Sequence, residues 1–388
     1  MSGKTFVYIS SWAKGPGSPG VHGLSGYEFQ TQTGDLRWIQ TVEENVLFNV
    51  TYFDRTRGIL YALEEGNDLP GLRGGGGGRV FVFRIDPDSG ELTKLGCTPT
   101  WCASPCYLTL DESGAFLIVS HQGSYAAVTK IGQDAQGNFY PVVERDDVAV
   151  ELFQVHEDGT LGRLLDVDKR IGSGPEKRQV HARPHTAVRS PSGKLFAVCD
   201  KGDDTVSMYM LDGEKGKLIR PRHIHQHAPG LLPRYCVFHP EKPWFYHNTE
   251  RDAAVYSFTY QEDGQLQQTG VCQAAPADCA MQERALEQQG FVISRDGRYL
   301  YDIVRGPNLA AVLEVDQDDG SLKVIQNQPI PGKWPRGCAL SPDGRFLLVC
   351  CLDSGEVVEF AVGADGRLRE TGKVTPHHAA AYVIFCPM

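Results

Sequence analysis

The stretch PRYCVFHPEKPWFYHNTER, residues 233–251, decides the fold. Two runs rich in aromatic and β-branched residues flank a Pro-rich turn, which is the pattern of two strands joined by a tight connection. Arg234 stands before the first strand and Glu250 directly follows the second, so that both fall at the same end of neighbouring strands. An Arg and a Glu placed in this way are typical of a small polar active site. Whether they form one depends on how many similar strand pairs surround them.

Similar strand-turn-strand units recur along the whole chain. Six of them lie at residues 52–61, 110–119, 189–198, 238–246, 293–301 and 340–349. A second motif, Gly-x-Leu after an alternating strand, interleaves with the first and occurs seven times, at Gly34, Gly90, Gly159, Gly216, Gly264, Gly320 and Gly366. A strand, a turn with Gly and a second strand predict a β-hairpin.

Two hairpins per repeat give four antiparallel strands, here named A to D, and seven such sheets arranged radially make a seven-bladed β-propeller. The seventh unit is split between the run that begins at Thr5 and the run that begins at Ala380, so the N- and C-terminal strands close the last blade. The sequence therefore predicts an all-β protein in which residues 1–388 form a single propeller domain. One or two helical turns are expected around residues 280–289.

Composition and charge restrict the partners. The chain has 388 residues, of which 41% are hydrophobic, and its net charge of -10 argues against nucleic acid or an anionic membrane as a partner. Eleven Cys follow no regular spacing and several lie in strand-like runs, so we interpret them as buried, reduced thiols. Without an apolar signal segment or a run of 18 apolar residues, a cytoplasmic protein is expected. The oligomeric state is left open.

Long inserts are predicted on one face of the propeller. Chain direction alternates within a blade, so the start of strand A and the B–C connection share the upper face, while the short A–B and C–D turns share the lower one. Residues 11–23, 64–78 and 121–147 all fall in B–C connections and rise from the upper face. Loops of this length usually carry function or are disordered. The pentaglycine of residues 74–78 fits a lid hinge or a plain flexible insertion equally well.

Polar side chains are concentrated at the strand ends on the upper face. The starts of the A strands carry His185, Arg234, Arg336, His377 and His378, and the ends of the B strands carry His121, Asp200, Lys201, Asn248, Glu250, Asp302 and Arg305. Cations held so close together repel one another, and a bound anion relieves that repulsion. The sequence therefore predicts a site for a small anionic substrate at the upper mouth of the central channel.

Two other motifs receive little weight. Residues 15–20 fit G-x-G-x-x-G, but two Pro interrupt the run and no helix follows to bind a pyrophosphate. His223, His225 and His227 would place three imidazoles on one face of a strand, as a metal site requires, but they lie on the outermost strand of their blade. We interpret them as a solvated strand edge.

The order and spacing of several motifs resemble those of the seven-bladed β-propeller lactonases. These motifs are residues 103–108, 184–187, 232–240, 248–250, 294–301 and 334–349, and together they span nearly the whole chain. The family includes 6-phosphogluconolactonases of the propeller type and carboxymuconate lactonizing enzymes. Carried over by position, the resemblance implies catalytic roles for His185, Arg234, Glu250 and Arg305, and an anion contact for Arg336.

Three functions remain open from the sequence. The first is a lactonase that hydrolyses or forms the lactone of a small anionic sugar or carboxylate, with Glu250 or His185 as the base and the Arg side chains as anion clamps. His121, Asp200, Lys201, Asn248 and His378 are expected to contact the substrate. The second is an isomerase of a related acid, and the third is a non-catalytic binding platform. No cofactor or metal is expected, because the rim offers few carboxylates to a hard cation.

Overall fold

The computed structural model describes residues 3–12, 23–276 and 287–388. Within these ranges the chain forms 31 β-strands and no helix. Seven antiparallel sheets follow one another along the chain, and one further two-stranded hairpin stands apart. The predicted seven-bladed β-propeller is therefore confirmed.

The first three blades run from residue 48 to residue 226. Blade 1 consists of β4 (Phe48–Asp54), β5 (Ile59–Glu64), β6 (Arg79–Ile85) and β7 (Leu92–Pro99). Blade 2 consists of β8 (Pro105–Leu110), β9 (Phe116–His121), β12 (Ala149–Val155) and β13 (Leu161–Lys169). Blade 3 consists of β14 (Pro184–Arg189), β15 (Phe196–Asp200), β16 (Thr205–Asp212) and two short outer strands, β17 (Lys217–Ile219) and β18 (Ile224–Gln226), which both pair with β16.

The remaining blades complete the circle. Blade 4 consists of β19 (Pro233–Phe238), β20 (Trp244–Thr249), β21 (Ala254–Tyr260) and β22 (Leu266–Gln273). Blade 5 consists of β23 (Glu287–Ile293), β24 (Tyr299–Arg305), β25 (Leu309–Val315) and β26 (Leu322–Pro329). Blade 6 consists of β27 (Pro335–Leu340), β28 (Phe346–Cys351), β29 (Glu356–Val362) and β30 (Leu368–Pro376). Blade 7 consists of β31 (Ala380–Pro387), β1 (Thr5–Ser11), β2 (Gly23–Phe29) and β3 (Leu36–Val42).

Strands from both ends of the chain close the ring in blade 7. β1 pairs antiparallel with β31 from Thr5 opposite Pro387 to Ser11 opposite Ala380, and on its other side with β2. The innermost strands of successive blades contact one another around the ring, and β31 contacts both β27 and β4. All seven A strands therefore line one channel and begin at the same mouth.

The hydrophobic core lies between the blades. Seven buried clusters each combine residues from two neighbouring blades, such as Leu60 and Phe81 of blade 1 with Phe6 and Tyr8 of blade 7. Because each blade packs both of its faces against neighbouring blades, its inner three strands are largely buried, whereas the D strands are largely half-buried or exposed. Burial of this kind holds the A strands in fixed mutual positions.

Buried tyrosines form hydrogen bonds across four of the blade interfaces. Each stands on a B strand and donates a hydrogen bond to the carbonyl of the Gly in the C–D turn of the next blade. The four bonds are Tyr8 to Gly90 (2.7 Å), Tyr61 to Gly159 (2.8 Å), Tyr246 to Gly320 (3.0 Å) and Tyr301 to Gly366 (2.9 Å). The Gly-x-Leu motif thus supplies an acceptor as well as a turn, and these glycines have positive φ.

The inserts differ in how they are held. Residues 122–148 carry a hairpin of β10 (Ala127–Gln133) and β11 (Phe139–Arg145), whose side chains are largely exposed. In the pentaglycine, a Cβ on Gly77 would lie 2.3 Å from the Cys102 oxygen and one on Gly78 would lie 2.2 Å from the Glu64 oxygen. This end of the run is packed on the blade. The G-x-G-x-x-G motif and the expected helical turns up to residue 286 lie outside the described residues.

No helix among the described residues is long and apolar enough to cross a membrane.

We predict that Tyr301→Phe lowers the free energy of unfolding by about 1–3 kcal/mol, because the Gly366 carbonyl loses its buried donor. Chemical denaturation followed by fluorescence measures this change. Tyr299→Phe is the control, since Tyr299 lies in the same strand and its hydroxyl donates to no group among the described residues. Equal losses in the two variants would contradict the role of the interblade bond.

Candidate active site

A repeated backbone contact places side chains at the mouth. The N–H of the residue that follows strand B donates to the carbonyl of the residue that precedes strand A of the same blade. This occurs for Glu65 to Leu47 (3.3 Å), Gln122 to Ser104 (3.1 Å), Lys201 to Arg183 (3.2 Å) and Glu250 to Leu232 (2.9 Å). Side chains from four blades therefore reach the same rim through the same local geometry.

Glu250 lies at the centre of the first group of charges. Its side chain is 1% exposed, and its Oε1 accepts hydrogen bonds from Arg234 and from Lys201, whose Nζ is 3.0 Å away. Nη1 of Arg178, from the segment between blades 2 and 3, lies 3.1 Å from Oε2. Oε2 itself makes no hydrogen bond with any described residue. Oε1 is thus hydrogen-bonded by two cations, while Oε2 lies next to Arg178 without a hydrogen bond and keeps a lone pair for chemistry.

Glu287 bridges two cations, Arg178 and Arg305. Its Oε1 lies 2.7 Å from Nη1 of Arg178, and its Oε2 lies 3.2 Å from Nη1 of Arg305. Burial alone would raise the pKa of Glu287, but the charges of Arg305, Arg178, Arg234 and Lys201 outweigh it and lower the pKa. The guanidinium of Arg305 also donates from Nε to the Pro335 carbonyl at 2.9 Å and stacks over Trp334.

Glu65 holds the last predicted cation of the rim. It accepts hydrogen bonds from Arg336 (3.2 Å), Asn49 (2.6 Å) and Gln122 (2.6 Å), which come from blades 6, 1 and 2. The Arg336 guanidinium lies over the Trp12 ring, 4.3 Å from its centroid. Distant parts of the chain therefore complete this side of the mouth.

Arg183 differs from the other cations of the mouth. It is 3% exposed and forms no ion pair with a carboxylate among the described residues. Its Nη2 donates to the Gly123 carbonyl at 3.3 Å and its guanidinium stacks on Tyr125 at 4.1 Å, but Nε and Nη1 have no hydrogen-bond partner in this part of the chain. Buried, unpaired guanidinium N–H groups favour an anionic ligand.

His185 is the second residue of β14. It is 1% exposed and packs edge-on against Tyr235, with 5.2 Å between the ring centroids. Burial, followed by the charges of Arg234, Lys201, Arg336 and Arg183, holds the pKa of His185 well below its ordinary 6.5. Its ring is therefore neutral at physiological pH.

The tautomer of His185 follows from its neighbour. The Thr186 hydroxyl donates to the Arg234 carbonyl, so its oxygen remains to accept from Nδ1–H of His185 at 3.4 Å. Nε2 then carries the lone pair. A cavity of about 260 Å³ is lined by Tyr107, Tyr382 and Tyr235, the residue against which the His185 ring packs.

A strained backbone positions Arg234. Leu232 has φ = 57°, a left-handed conformation that is costly for a residue with a side chain. The buried carboxylate of Asp204 holds this loop by accepting from the N–H of Leu232 at 2.8 Å and of Gly230 at 2.7 Å. The sequence predicted that Arg234 stands before the strand, whereas Arg234 is the second residue of β19.

Asp200 and Asn248, which the sequence predicted to contact substrate, have their side chains engaged inside the blades. Asp200 Oδ1 accepts from the N–H of Arg183 at 2.5 Å and of Gly202 at 2.9 Å, and burial followed by Asp203 raises its pKa to about 7. Asn248 accepts from the N–H of Tyr235 at 2.9 Å and donates to Asp302 at 2.8 Å. The two side chains support the backbone that carries Arg183 and Arg234.

The other predicted histidines differ in their surroundings. His121 is fully buried, and its ring contacts the Ala149 carbonyl and Glu151 rather than the three carboxylates of the mouth. His378 is exposed, whereas His377 is buried between Ser11 and Tyr27, at 3.0 Å and 3.1 Å. The residue after His121, Gln122, is the one that reaches the mouth.

The outer histidine motif is only partly solvated. His223 is exposed beside Asp263, but His227 is buried and its Nε2 lies 2.9 Å from Nε2 of His247. The expectation of a solvated edge is therefore wrong for His227, because the ring packs between its own blade and Tyr256 of blade 4. Among the described residues, these three histidines do not form a cluster of potential metal ligands.

Sequence reasoning missed Glu65, Arg178, Arg183 and Glu287. Glu65 and Glu250 occupy the same place after strand B, so the alignment of strand ends contained a signal for Glu65. Arg183 directly precedes the Pro184-His185 step and Glu287 begins an A strand without the Pro seen elsewhere. Arg178 lies in an irregular segment that no repeat marks.

We predict that His185 remains neutral when the pH falls from about 7.5 to about 6.0, because its pKa is held well below 6.5. In ¹³C,¹⁵N-histidine-labelled protein, its ring resonances should not shift over this range. His185→Gln assigns the signals. A titration midpoint near 6.5 would contradict the described environment.

Comparisons with known proteins agree with this fold. A sequence model described as lactonase, 7-bladed beta-propeller matches residues 6–385. A 6-phosphogluconolactonase of Bacillus subtilis is 28% identical over 377 residues, 96% of this chain and 94% of that protein. A 6-phosphogluconolactonase of Formosa agariphila is 24% identical over 95% of this chain and 94% of that protein.

A solved structure has the same fold. The periplasmic gluconolactonase of Pseudomonas aeruginosa superposes with a TM-score of 0.83 at 24% identity, covering 99% of each chain, which shows the shared fold. The resemblance drawn from the sequence motifs is confirmed by the family match over almost the whole chain. The protein belongs to the lactonase family of seven-bladed β-propellers.

Proposed function

We propose that this protein hydrolyses the lactone of a small anionic sugar acid at the charged mouth of its channel. The observation that carries the proposal is the buried Glu250, whose Oε1 is hydrogen-bonded by Arg234 and Lys201 and whose Oε2 lies beside Arg178 but accepts no hydrogen bond from the described residues. Two relatives named 6-phosphogluconolactonase support hydrolysis rather than lactone formation or isomerization.

The charge of the mouth favours an anion. Its carboxylates are Glu65, Glu250 and Glu287, and the cations in contact with them are Arg178, Lys201, Arg234, Arg305 and Arg336. Arg183 adds a cation without a carboxylate partner among the described residues. Because buried cations in excess are costly unless paired, a phosphate or carboxylate group on the substrate completes the balance.

Hydrolysis of a lactone adds one water across the ring C–O bond. Glu250 Oε2 takes a proton from water, and the water oxygen attacks the carbonyl carbon. The electron pair of the C=O bond moves to the carbonyl oxygen, where Arg234 and Lys201 stabilise the oxyanion. When the carbonyl re-forms, the ring C–O bond breaks and the leaving oxygen receives the proton from Glu250. The product is an open hydroxy acid.

His185 is assigned a role in orientation. Four cations already surround it, so a proton on the ring would add another positive charge to a buried site. Its Nε2 is therefore a hydrogen-bond acceptor for the attacking water or a sugar hydroxyl. Arg183, Arg305 and Arg336 remain to hold the remote anionic group.

A cytoplasmic location is part of the proposal. It rests on the ten described cysteines, all of which are free thiols and eight of which are buried. The Pseudomonas neighbour is described as periplasmic, so fold alone does not decide the compartment. Protease protection in fractionated cells expressing the full chain tests the location.

We predict that the wild type opens 6-phosphoglucono-δ-lactone and that Glu250→Gln lowers kcat by about 10²–10⁴-fold, because the proton acceptor is lost. A pH-indicator assay over a panel of aldonolactones and muconates, corrected for spontaneous opening, measures both rates. Glu241→Gln, an exposed site in the same blade, is the matched control and should leave kcat unchanged. Circular dichroism verifies that both variants fold.

Turnover of no lactone by the wild type would overturn the enzymatic proposal. If ligand affinity were also unaffected by Glu250→Gln, a non-catalytic platform would replace it. Turnover of muconates alone would favour lactone formation.

We predict that Arg183→Gln raises KM for the phosphorylated lactone at least about tenfold, because a charge-assisted contact to the anion is lost. KM for uncharged glucono-δ-lactone should change little. Initial-rate kinetics on both substrates measure the ratio. Arg163→Gln, an exposed site on the outer strand of blade 2, is the control. Equal changes for the two substrates would contradict a role of Arg183 in binding the anion.

A further inference from the structure

A second buried polar cluster lies in blade 2. It consists of Cys102, from the segment between blades 1 and 2, His121 at the end of β9 and Glu151 in β12. Their exposed fractions are 8%, 0% and 0%, and their potential ligand atoms all lie within 4.8 Å of one another. No group of this cluster has a role in the proposed hydrolysis.

The polar atoms of the cluster have few partners outside it. Nε2 of His121 and both carboxylate oxygens of Glu151 make no hydrogen bond with the described residues. The opposite ring nitrogen, Nδ1 of His121, contacts the Ala149 carbonyl at 3.3 Å. A backbone carbonyl on one ring nitrogen commonly orients the other nitrogen toward a metal. Buried polar atoms without partners are rare in folded proteins and call for a ligand.

We propose that Cys102, His121 and Glu151 bind one Zn²⁺ ion, with one oxygen of Glu151 as the third donor and a water molecule in the fourth position. Thiolate, imidazole and carboxylate are all zinc ligands, and the presence of sulfur excludes Mg²⁺ and Ca²⁺ as the preferred ion. A thiolate and a carboxylate neutralise the two positive charges, so the filled site carries no net charge into the core.

The distances fit with a small contraction. Around a tetrahedral zinc ion, donors at about 2.0–2.3 Å from the metal lie about 3.3–3.7 Å from one another. Nε2 of His121 and Oε2 of Glu151 are already 3.6 Å apart. All potential donors lie within 4.8 Å of one another, so the thiol of Cys102 needs to approach by no more than about 1.5 Å to reach that spacing.

The position of the site indicates a structural role. Zinc would join the segment before β8 to the strands on both sides of the insert 122–148. Gly77 packs against the backbone of Cys102, and Gln122, next to His121, contacts Glu65 of the mouth. The ion would therefore fix the base of two upper-face inserts.

Metal binding to the tag-free, reduced full-length protein tests the inference. After dialysis against Zn²⁺ and removal of excess ion, elemental analysis should find one equivalent in the wild type and in Cys272→Ser, a half-buried thiol of blade 4. Cys102→Ser and Glu151→Gln should lose the ion. Zinc should raise Tm of the wild type and Cys272→Ser only.

Cobalt gives a readout that does not depend on the variants folding. Wild-type protein loaded with Co²⁺ should show a thiolate-to-cobalt charge-transfer band and the intense visible bands of a tetrahedral ion. Absence of the charge-transfer band, failure of the wild type to retain zinc, or equal retention by Cys102→Ser would each overturn the proposal. Changes in lactone turnover do not enter this test, so it is separate from the proposed function.

Discussion

Closure of the ring by β1 and β31 is the constraint on which the rest of the structure depends. Only when the last blade is complete do all seven A strands face one channel with their first residues at one mouth. The hydrophobic clusters between blades then fix the spacing of those strands. Side chains that are far apart in sequence, such as Arg336 and Glu65, can meet because of this closure.

The mouth combines charges that would be unfavourable singly. A buried ion pair is weak evidence for stability, since desolvation offsets the attraction between the partners. The group around Glu250 and Glu287 is therefore better explained by binding and chemistry than by folding. Substrate atoms are expected at Nε of Arg183 and at Oε2 of Glu250, neither of which has a hydrogen bond with the described residues, although Arg178 lies beside Oε2.

Sequence periodicity was sufficient for the fold and for part of the site. The Gly-x-Leu turns marked all seven C–D connections, and the position of Arg234 and Glu250 at one end of two strands was correct. Periodicity does not report side-chain direction. Asp200 and Asn248 occupy rim positions in sequence but turn into the blades, where backbone N–H groups need acceptors. Arg178 contacts Glu250 from an irregular segment, and no repeat in the sequence predicts where that segment runs.

A crystal structure with the open-chain product, 6-phosphogluconate, tests the central claim most directly. The proposal predicts that the product carboxylate lies beside Arg234, Lys201 and Glu250, with the phosphate among the remaining Arg side chains of the mouth. Product bound on the lower face or outside the channel, with the mouth occupied by solvent alone, would contradict it.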